Sequence, residues 1–484
     1  RRCIIGRSML RKAVSIIMLT LLLVGMFSLA MNIKPAKVES RTIIVPDDYP
    51  TIQEAVDAAD DGDTIYVRRG TYYERVNVTK TVNVVGECRE ETIVNGGFYI
   101  NASDVLLCNF TIAAPEKLCV EVHGYNVTIK RNIITNSLVG IALWTDSYKC
   151  TVTENIVEKC HEGIESVSND GFHSLIHNNV TGCDLGIGLA FDRGNNFVYN
   201  NTITGCSAAG IVATFSMGNV IERNIVYKNG WSSSYSWLQA GLWVDALTGP
   251  NYIKENVILE NKIGLYLGNG SGTKVFHNLF INNSQQVYLE NASFSIWDNG
   301  YPFGGNYWSD YNGTDLFNGA YQNIPGSDGI GDTPYVINAN NTDHYPFMNP
   351  SLAITAMIDI KPKSLCLVSF DRYISVYAEL PQSIDVKSVN LSSLLLNETF
   401  KPVSTAIGDH DKDSVPDLII KFNRTEVMSY LLTRINMTKL IENRFIPIKL
   451  TISGKLNNGV KFEGTKLIRI AIPGPGGKYK ILLT

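Results

Sequence analysis

Apolar residues in this chain come in short runs, broken at a fixed interval by asparagine or glycine. From Asn109 to Leu289, an Asn followed by two mostly apolar or β-branched residues recurs. The positions are Asn109, Asn132, Asn155, Asn179, Asn201, Asn224, Asn256 and Asn278, at steps of 23, 23, 24, 22, 23, 32 and 22 residues. A second pattern, Gly followed by Ile or Leu, runs out of phase with the first. It marks Gly140, Gly163, Gly186, Gly210, Gly241 and Gly264, at steps of 23, 23, 24, 31 and 23. Two ladders sharing one period in the twenties indicate a solenoid. Between the ladder positions lie Ile, Val and Thr, so each period holds strands and corners and leaves almost no room for a helix. The expectation is a parallel β-helix with one coil per period and like residues stacked about 4.8 Å apart. The Asn and Gly ladders are expected at coil corners, where the backbone turns left-handed. The 32-residue step adds nine residues to the 23-residue period, around Gly230–Trp237. Such an insertion loops out on one face of a solenoid, often the binding face.

The flanking segments have other patterns. In residues 41–97, Ile52, Ala55, Val56 and Ala59 share one helical face behind Pro50 and Asp47 or Asp48, which predicts a short amphipathic helix. Its role would be to plug an end of the coil that otherwise exposes apolar core and unpaired strand edges. Coils fill 98–291. Residues 292–350 are rich in Gly, Asn and aromatics and read as an irregular C-terminal cap. From 355 to 473 the period stops and alternating runs such as Ile446–Ile452 appear, which predicts a small antiparallel β-sandwich. The fold class is therefore all-β: a solenoid of roughly 22–24-residue coils followed by a sandwich.

Composition sets the setting. The chain has 484 residues and a net charge of −4, which argues against a nucleic-acid partner held by charge. Arg1, Arg2, Arg7, Arg11 and Lys12 precede an uncharged run from Ala13 to Met31. That is the form of a signal peptide, with Ser28–Ala30 as a cleavage site, or of an uncleaved anchor attaching the chain to a membrane. Cleavage after Ala30 removes five positive charges and takes the net charge from −4 to −9. Fifteen Asn-x-Ser/Thr sequons, from Asn77 to Asn436, point to a glycosylated exported surface. Asn109 and Asn179 would be poor acceptors if their ladder is packed. Of nine cysteines, Cys160, Cys183 and Cys206 keep the coil spacing. They read as a column of small buried side chains or as a disulfide between adjacent coils.

Pro50–Val56, Gly62–Ile65 and Gly70–Tyr72 together resemble the start of pectin-lyase-like right-handed β-helices. The coils then look like the NosD-type family of surface and periplasmic β-helix proteins, and like the wider class of carbohydrate-binding proteins and sugar hydrolases. The block from Gly304 to Pro346 is similar to the tail that follows archaeal NosD-like β-helices. The resemblance covers roughly 41–350 and implies the fold more sharply than an activity. It implies a right-handed coil, an extracytoplasmic place and, from the family's namesake, copper delivery.

Four chemistries have candidate residues. Asp409, Asp411, Asp413 and Asp417, with the carbonyl of Val415, put oxygen ligands at relative positions 1, 3, 5, 9 and 7, the hard set that Ca²⁺ takes. This loop resembles the calcium loops of dockerin-like and thrombospondin-like repeats, and the expected role is structural. A sugar-cleaving enzyme (lyase, hydrolase or epimerase) would draw on Glu165, Asp170, His173 and Asp192, with Glu162 and Arg193 beside them. The paired-Asp and Gly-His-Gly signatures of polygalacturonases and the Arg-Pro-x-x-Arg of lyases are absent, and scattered surface charge is the plainer reading. Sugar binding needs flat aromatics beside polar groups. Trp144, Trp231, Tyr235, Trp237 and Trp243 are candidates, with Trp144 and Trp243 expected at neighbouring coil edges. Copper needs soft or imidazole ligands. Of seven histidines only His173 and His177 are close in sequence, so copper rests on the family likeness. The expected function is a secreted or cell-surface β-helix that binds polysaccharide or serves as a structural module of the envelope.

Overall fold

A computed structural model describes residues 40–472, apart from 168–170, 192–193, 232–238, 246–248, 269–271, 291–293, 351, 370, 382–383, 413–414 and 458. From Ile43 onward the chain forms one compact unit. The coil has three walls. The first is an 11-stranded parallel sheet that includes Thr128–Lys130, Thr151–Thr153 and Lys274–Phe276, in one register (Ile129 opposite Val152). The second runs through the first halves of Ile133–Leu143 and Ile156–Ser166 and then through Asn179–Thr181, Thr202–Thr204, Ile225–Tyr227, Val257–Leu259 and Leu279–Ile281. The third runs through the second halves of the two long strands and through Leu185–Ala190, Ala209–Thr214, Ala240–Asp245, Ile263–Leu267 and Gln285–Leu289. No helix among the described residues is long and apolar enough to cross a membrane.

The ladders hold the coils together by a mechanism different from the one expected. Asn132, Asn155, Asn178, Asn201, Asn224, Asn256, Asn278 and Asn306 stack inside the coil, all 2% exposed or less. From Asn155 onward each side-chain oxygen takes the backbone N–H and the Nδ2 of the Asn one coil below, as Asn155 does from Asn132 at 2.9 and 3.2 Å, while Asn132 takes the Phe110 N–H. The member at the fourth coil is Asn178, not Asn179, and Asn109 lies one residue before its rung, so the irregular 24 and 22 steps resolve to 23 and 23. None of the stacked asparagines is left-handed, whereas Asn109, just before its rung, is (φ 65°). The left-handed residue is the one before each rung from Asn132 to Asn278 (Arg131, Glu154, His177, Asn200, Arg223, Glu255 and His277, at φ of 51° to 61°). The asparagine is needed for its side chain, which satisfies polar groups that the coil buries. The glycine ladder also differs from the expectation. Gly140, Gly163, Gly186, Gly210, Gly241 and Gly264 do not have positive φ; a Cβ there would stand 2.4 to 2.9 Å from a backbone oxygen of the next coil. The reason is close approach of chains.

The cysteine column follows the same logic. Cys160, Cys183 and Cys206 are 4%, 2% and 1% exposed, and all cysteines from Cys88 to Cys366 are free thiols. Cys206 hands the column on to Asn229, whose Oδ1 accepts the Cys206 N–H at 2.9 Å.

Both ends of the coil are closed. Helix Ile52–Ala58 begins at the Thr51 cap and buries Ile52, Ala55 and Val56 completely. The Glu74 carboxylate takes the free N–H groups of Ile52 and Gln53, as helix N-termini require. At the other end Trp308 stacks between Phe280 (4.4 Å) and Tyr335 (4.2 Å). The Asp343 carboxylate, wholly buried, takes the Asn306 N–H, the Trp308 indole N–H and the Tyr345 N–H. Burial pushes this carboxyl up to about 7 against the pull of those donors.

Two sheets follow at the C-terminus. One is mainly antiparallel, built on Val389–Leu396, Phe445–Leu456 and Lys461–Ala471. The other comprises Met357–Lys361, Tyr373–Glu379, Asp417–Asn423 and Ser404–Gly408. Helices Arg424–Leu432 and Met437–Asn443 interrupt the strands, which the alternating pattern did not predict. Their caps are legible in hindsight: Asn423 takes the Thr425 and Glu426 N–H groups while Glu426 reaches back to Asn423. The sandwich core and the outward second-wall residues Ile225, Val257, Leu259, Leu279 and Ile281 form one buried cluster. The sandwich therefore covers the second wall from Ile225 to Ile281 and leaves the third wall to carry a site.

Candidate functional site

The third wall turns two columns of side chains outward. In one, Tyr99 pairs with Glu121, Glu121 with Ala142, Ala142 with Glu165, Glu165 with Gly188, Gly188 with Val212, Val212 with Trp243, Trp243 with Tyr266 and Tyr266 with Tyr288. In the other, Val139 pairs with Glu162, Glu162 with Leu185 and Leu185 with Ala209; further along, Ile263 pairs with Gln285. The face is graded as a result. It is acidic at Glu162 and Glu165, small or aliphatic across Leu185, Gly188, Ala209 and Val212, and aromatic from Trp243 onward.

Glu165 lies half-buried over Gly188, where a Cβ would meet its Cγ at 3.8 Å. Its carboxyl is pushed up to about 7, first by burial and second by the negative charge of Glu162 and the hydrogen bond between the two. Near neutral pH Glu165 therefore holds its proton part of the time. No described Lys or Arg pairs with either. The bases nearby are already engaged: Arg75 with Glu121 at 2.7 Å, Lys159 with Glu158 at 3.2 Å, and His161 with Asp184 at 2.6 Å.

At the other end the Trp243 and Tyr266 rings stack at 3.5 Å and 10°, and Tyr266 and Tyr288 at 5.3 Å and 15°. Tyr288 is 41% exposed. The strand that presents it also lines a shallow pocket of about 300 Å³ with Ser284, Gln285 and Gln286, completed by Asp310 and Tyr335. Gln286 donates to Ser309 and Asp310, and the Tyr335 hydroxyl donates to Asp310 at 3.1 Å. A flat ring beside amide, hydroxyl and carboxylate groups suits a hydroxyl-rich ligand. One coil corner along from the columns, Phe191 and Phe215 stack at 4.9 Å, both exposed. Both are left-handed at φ 52°, an unfavourable conformation for a bulky residue that clusters at functional sites.

The residues singled out from sequence divide. Trp243 and Glu165 share the outward column. Trp144 lies four coils before Trp243, not at a neighbouring edge; its indole N–H is buried without a partner and its ring stacks at 6.5 Å on His123. Trp231 is 54% exposed, donates to the Glu260 carbonyl at 3.0 Å and receives Lys262 over its ring. Asp170, Asp192, Arg193, Tyr235, Trp237 and Asp413 lie outside the described residues. His173 is corrected: it is not a surface base. It is wholly buried, occupies the interior column continued by Asn196, Asn219 and Asn251, and accepts the Cys150 N–H on Nδ1. Burial pushes its imidazole down to about 4, so it stays neutral. Tyr266 and Tyr288 were missed, although steps of 23 and 22 from Trp243 lead to them.

Away from the coil, ligand oxygens of Asp409, Asp411 and Asp417 lie within 4.8 Å of one another. Asp417 is buried and takes the His410 N–H at 2.7 Å, and Asp409 takes the Lys412 N–H at 2.7 Å. Val415 lies half-buried in the same loop.

A family model described as periplasmic copper-binding protein (NosD) matches residues 56–313. Among solved structures the chain is similar to the A-module of a mannuronan C-5 epimerase from Azotobacter vinelandii, at 12% identity over 53% of this chain and 87% of that one, TM-score 0.38. It is similar to a DFA-IIIase from Arthrobacter chlorophenolicus A6, at 15% identity over 54% and 95%, TM-score 0.40. It is similar also to the pectate lyase Pel9A, at 14% identity over 53% and 77%, TM-score 0.31. No curated protein matches the chain.

Proposed function

The chain belongs to the NosD family, and from that premise we propose that it is an exported, glycosylated β-helix that binds a polysaccharide along its third wall without turning it over. The observation that carries this reading is the Trp243–Tyr266–Tyr288 column, which leads to the polar pocket at Gln286, Asp310 and Tyr335. Stacked rings give a sugar face an apolar bed, and the pocket gives its hydroxyls partners. The Asp409–Asp417 loop, in the same reading, holds a structural Ca²⁺, since clustered carboxylates repel unless a cation joins them.

The copper that the family description implies does not fit the residues present. Each of the seven histidines is placed apart from the others. His123 sits between Glu121 and Asp146, His161 on Asp184, His177 on Asn200, His277 on the Phe303 carbonyl, His344 on Asp298 and His410 against Tyr377, while His173 is in the core. The stacked thiols are enclosed; burial raises Cys206 to about 12, away from the thiolate a soft metal needs, and the hydrogen bond with Cys183 that lowers Cys160 occupies that thiol. The one cluster of three candidate ligands among the described residues is all oxygen.

One observation favours a second reading, a glycoside hydrolase: the Glu165 carboxyl near 7 is in the range of a general acid. A panel of polysaccharides incubated with the full chain separates the two. Binding without release of reducing ends or unsaturated uronate supports the binding module. Turnover abolished by Glu165→Gln overturns it.

A further inference from the structure

Among the described residues, the strands of the third wall carry acids and no lysine or arginine. Glu162 and Glu165 pair with each other across one strand, in the two outward columns. Every described base close to them is held by another acid: Arg75 by Glu121, Lys159 by Glu158, His161 by Asp184, and His123 by Asp146 and Glu121. Toward the aromatic end stand two acids, Asp245 and Asp310, and one base, Lys262, which lies over the Trp231 ring at the corner before Ile263. A polymer of uronic acids laid on this wall would bring its carboxylates against Glu162 and Glu165, with which no described arginine or lysine pairs. A ligand carrying cations would complete the pair.

Resting on the polysaccharide-binding reading, we propose that the ligand is a polymer of amino sugars, seated with an ammonium group against Glu162 and Glu165 and with its rings along the Trp243–Tyr266–Tyr288 column. The two features are complementary along one axis. They stand three to five coils apart, roughly 14 to 24 Å at about 4.8 Å per coil, so several consecutive sugar units span both. Between them the two columns hold no charged side chain, only Leu185, Gly188, Ala209 and Val212. An ammonium–carboxylate contact is a charge-assisted hydrogen bond and sets the preference among glycans of similar shape.

The test is calorimetric titration of the full chain with three oligosaccharides of equal length: glucosamine oligomers, their fully N-acetylated counterparts, and oligogalacturonate. The expected order is glucosamine, then N-acetylglucosamine, with no binding of the uronate. Glu162→Gln/Glu165→Gln is expected to weaken glucosamine binding about tenfold and to remove its salt dependence, while the N-acetylated oligomer is unaffected. Glu162→Gln alone, at a half-exposed position, reads the same effect if the double variant folds poorly. Equal affinity for the amino and acetylated oligomers without salt dependence, or preference for the uronate, overturns the charge inference but leaves the wall as a glycan site. Binding of all three unchanged by Trp243→Ala/Tyr288→Ala, or no binding at all, overturns the underlying reading and this inference with it.

Discussion

Replacing Asn201 by alanine tests the mechanism that joins the coils. Asn201 Oδ1 takes the Asn178 backbone N–H at 2.8 Å and its Nδ2 at 3.0 Å; Asn201 Nδ2 donates to the Leu175 carbonyl at 2.7 Å and to Asn224 Oδ1 at 3.0 Å. Asn201→Ala removes all four in a region without solvent. A net hydrogen bond is worth roughly 1 kcal/mol, and a buried donor left unmade costs roughly 1–3 kcal/mol. The Asn178 N–H becomes such a donor, so the expected loss is about 4 kcal/mol. Asn200→Ala is the control. It keeps the left-handed corner (φ 51°) on the surface, where a side chain other than Asn or Gly costs about 1 kcal/mol. Urea unfolding followed by circular dichroism gives both values. Because each coil contacts only its neighbours, a broken rung should also split the transition into two steps. A loss at Asn201 no greater than that at Asn200 would refute the idea that the buried amides, not the corner backbone, join the coils.

Three further outcomes follow from the geometry. Gly163→Ala would bring its methyl to 2.5 Å from the Gly186 carbonyl oxygen and 2.8 Å from Val180, and should destabilise by about 3 kcal/mol in the same urea assay. The Asp343 carboxyl, near 7 when folded and near 3.8 when not, binds its proton more tightly in the folded chain. Its contribution is therefore full below about pH 4 and is lost as pH rises through 7. Glu165 acts with the same sign. Melting temperatures should fall from pH 5 to 8, and Asp343→Asn should flatten that slope. Adding a chelator should lower the melting transition of the C-terminal sheets, and Asp417→Asn should abolish the difference; no shift and no bound calcium by elemental analysis would rule the Asp409–Asp417 site out.

The coil was legible because a solenoid writes one interval many times. What that interval could not distinguish was which of two adjacent asparagines points inward, so Asn179 stood in for Asn178. Nor could it separate a glycine kept for its φ from one kept because the next coil's carbonyl leaves no room for a Cβ, as at Gly163. In the C-terminal sheets the short helices were hidden by alternating neighbours, since propensity over seven to nine residues is weak against context. Trp243 stood out by type, but Tyr266 and Tyr288 join it only once the 23- and 22-residue steps are applied to outward positions as well as to the ladder. His173 misled for a related reason: a histidine in a Gly-, Asn- and Ser-rich turn looks exposed, and only the stacking with Asn196 puts it inside. The pairing of Glu162 with Glu165 depends on how the strand bends across the corner, which a linear pattern does not show.

In the proposed function the third wall is the surface that meets a glycan. The most direct measurement is the affinity of the full chain for a bound oligosaccharide, before and after Trp243→Ala/Tyr288→Ala, with circular dichroism to show the coil intact. Loss of binding by about a hundredfold, from two ring contacts of roughly 1–1.5 kcal/mol each, is the predicted result. Unchanged affinity in a folded variant would contradict it.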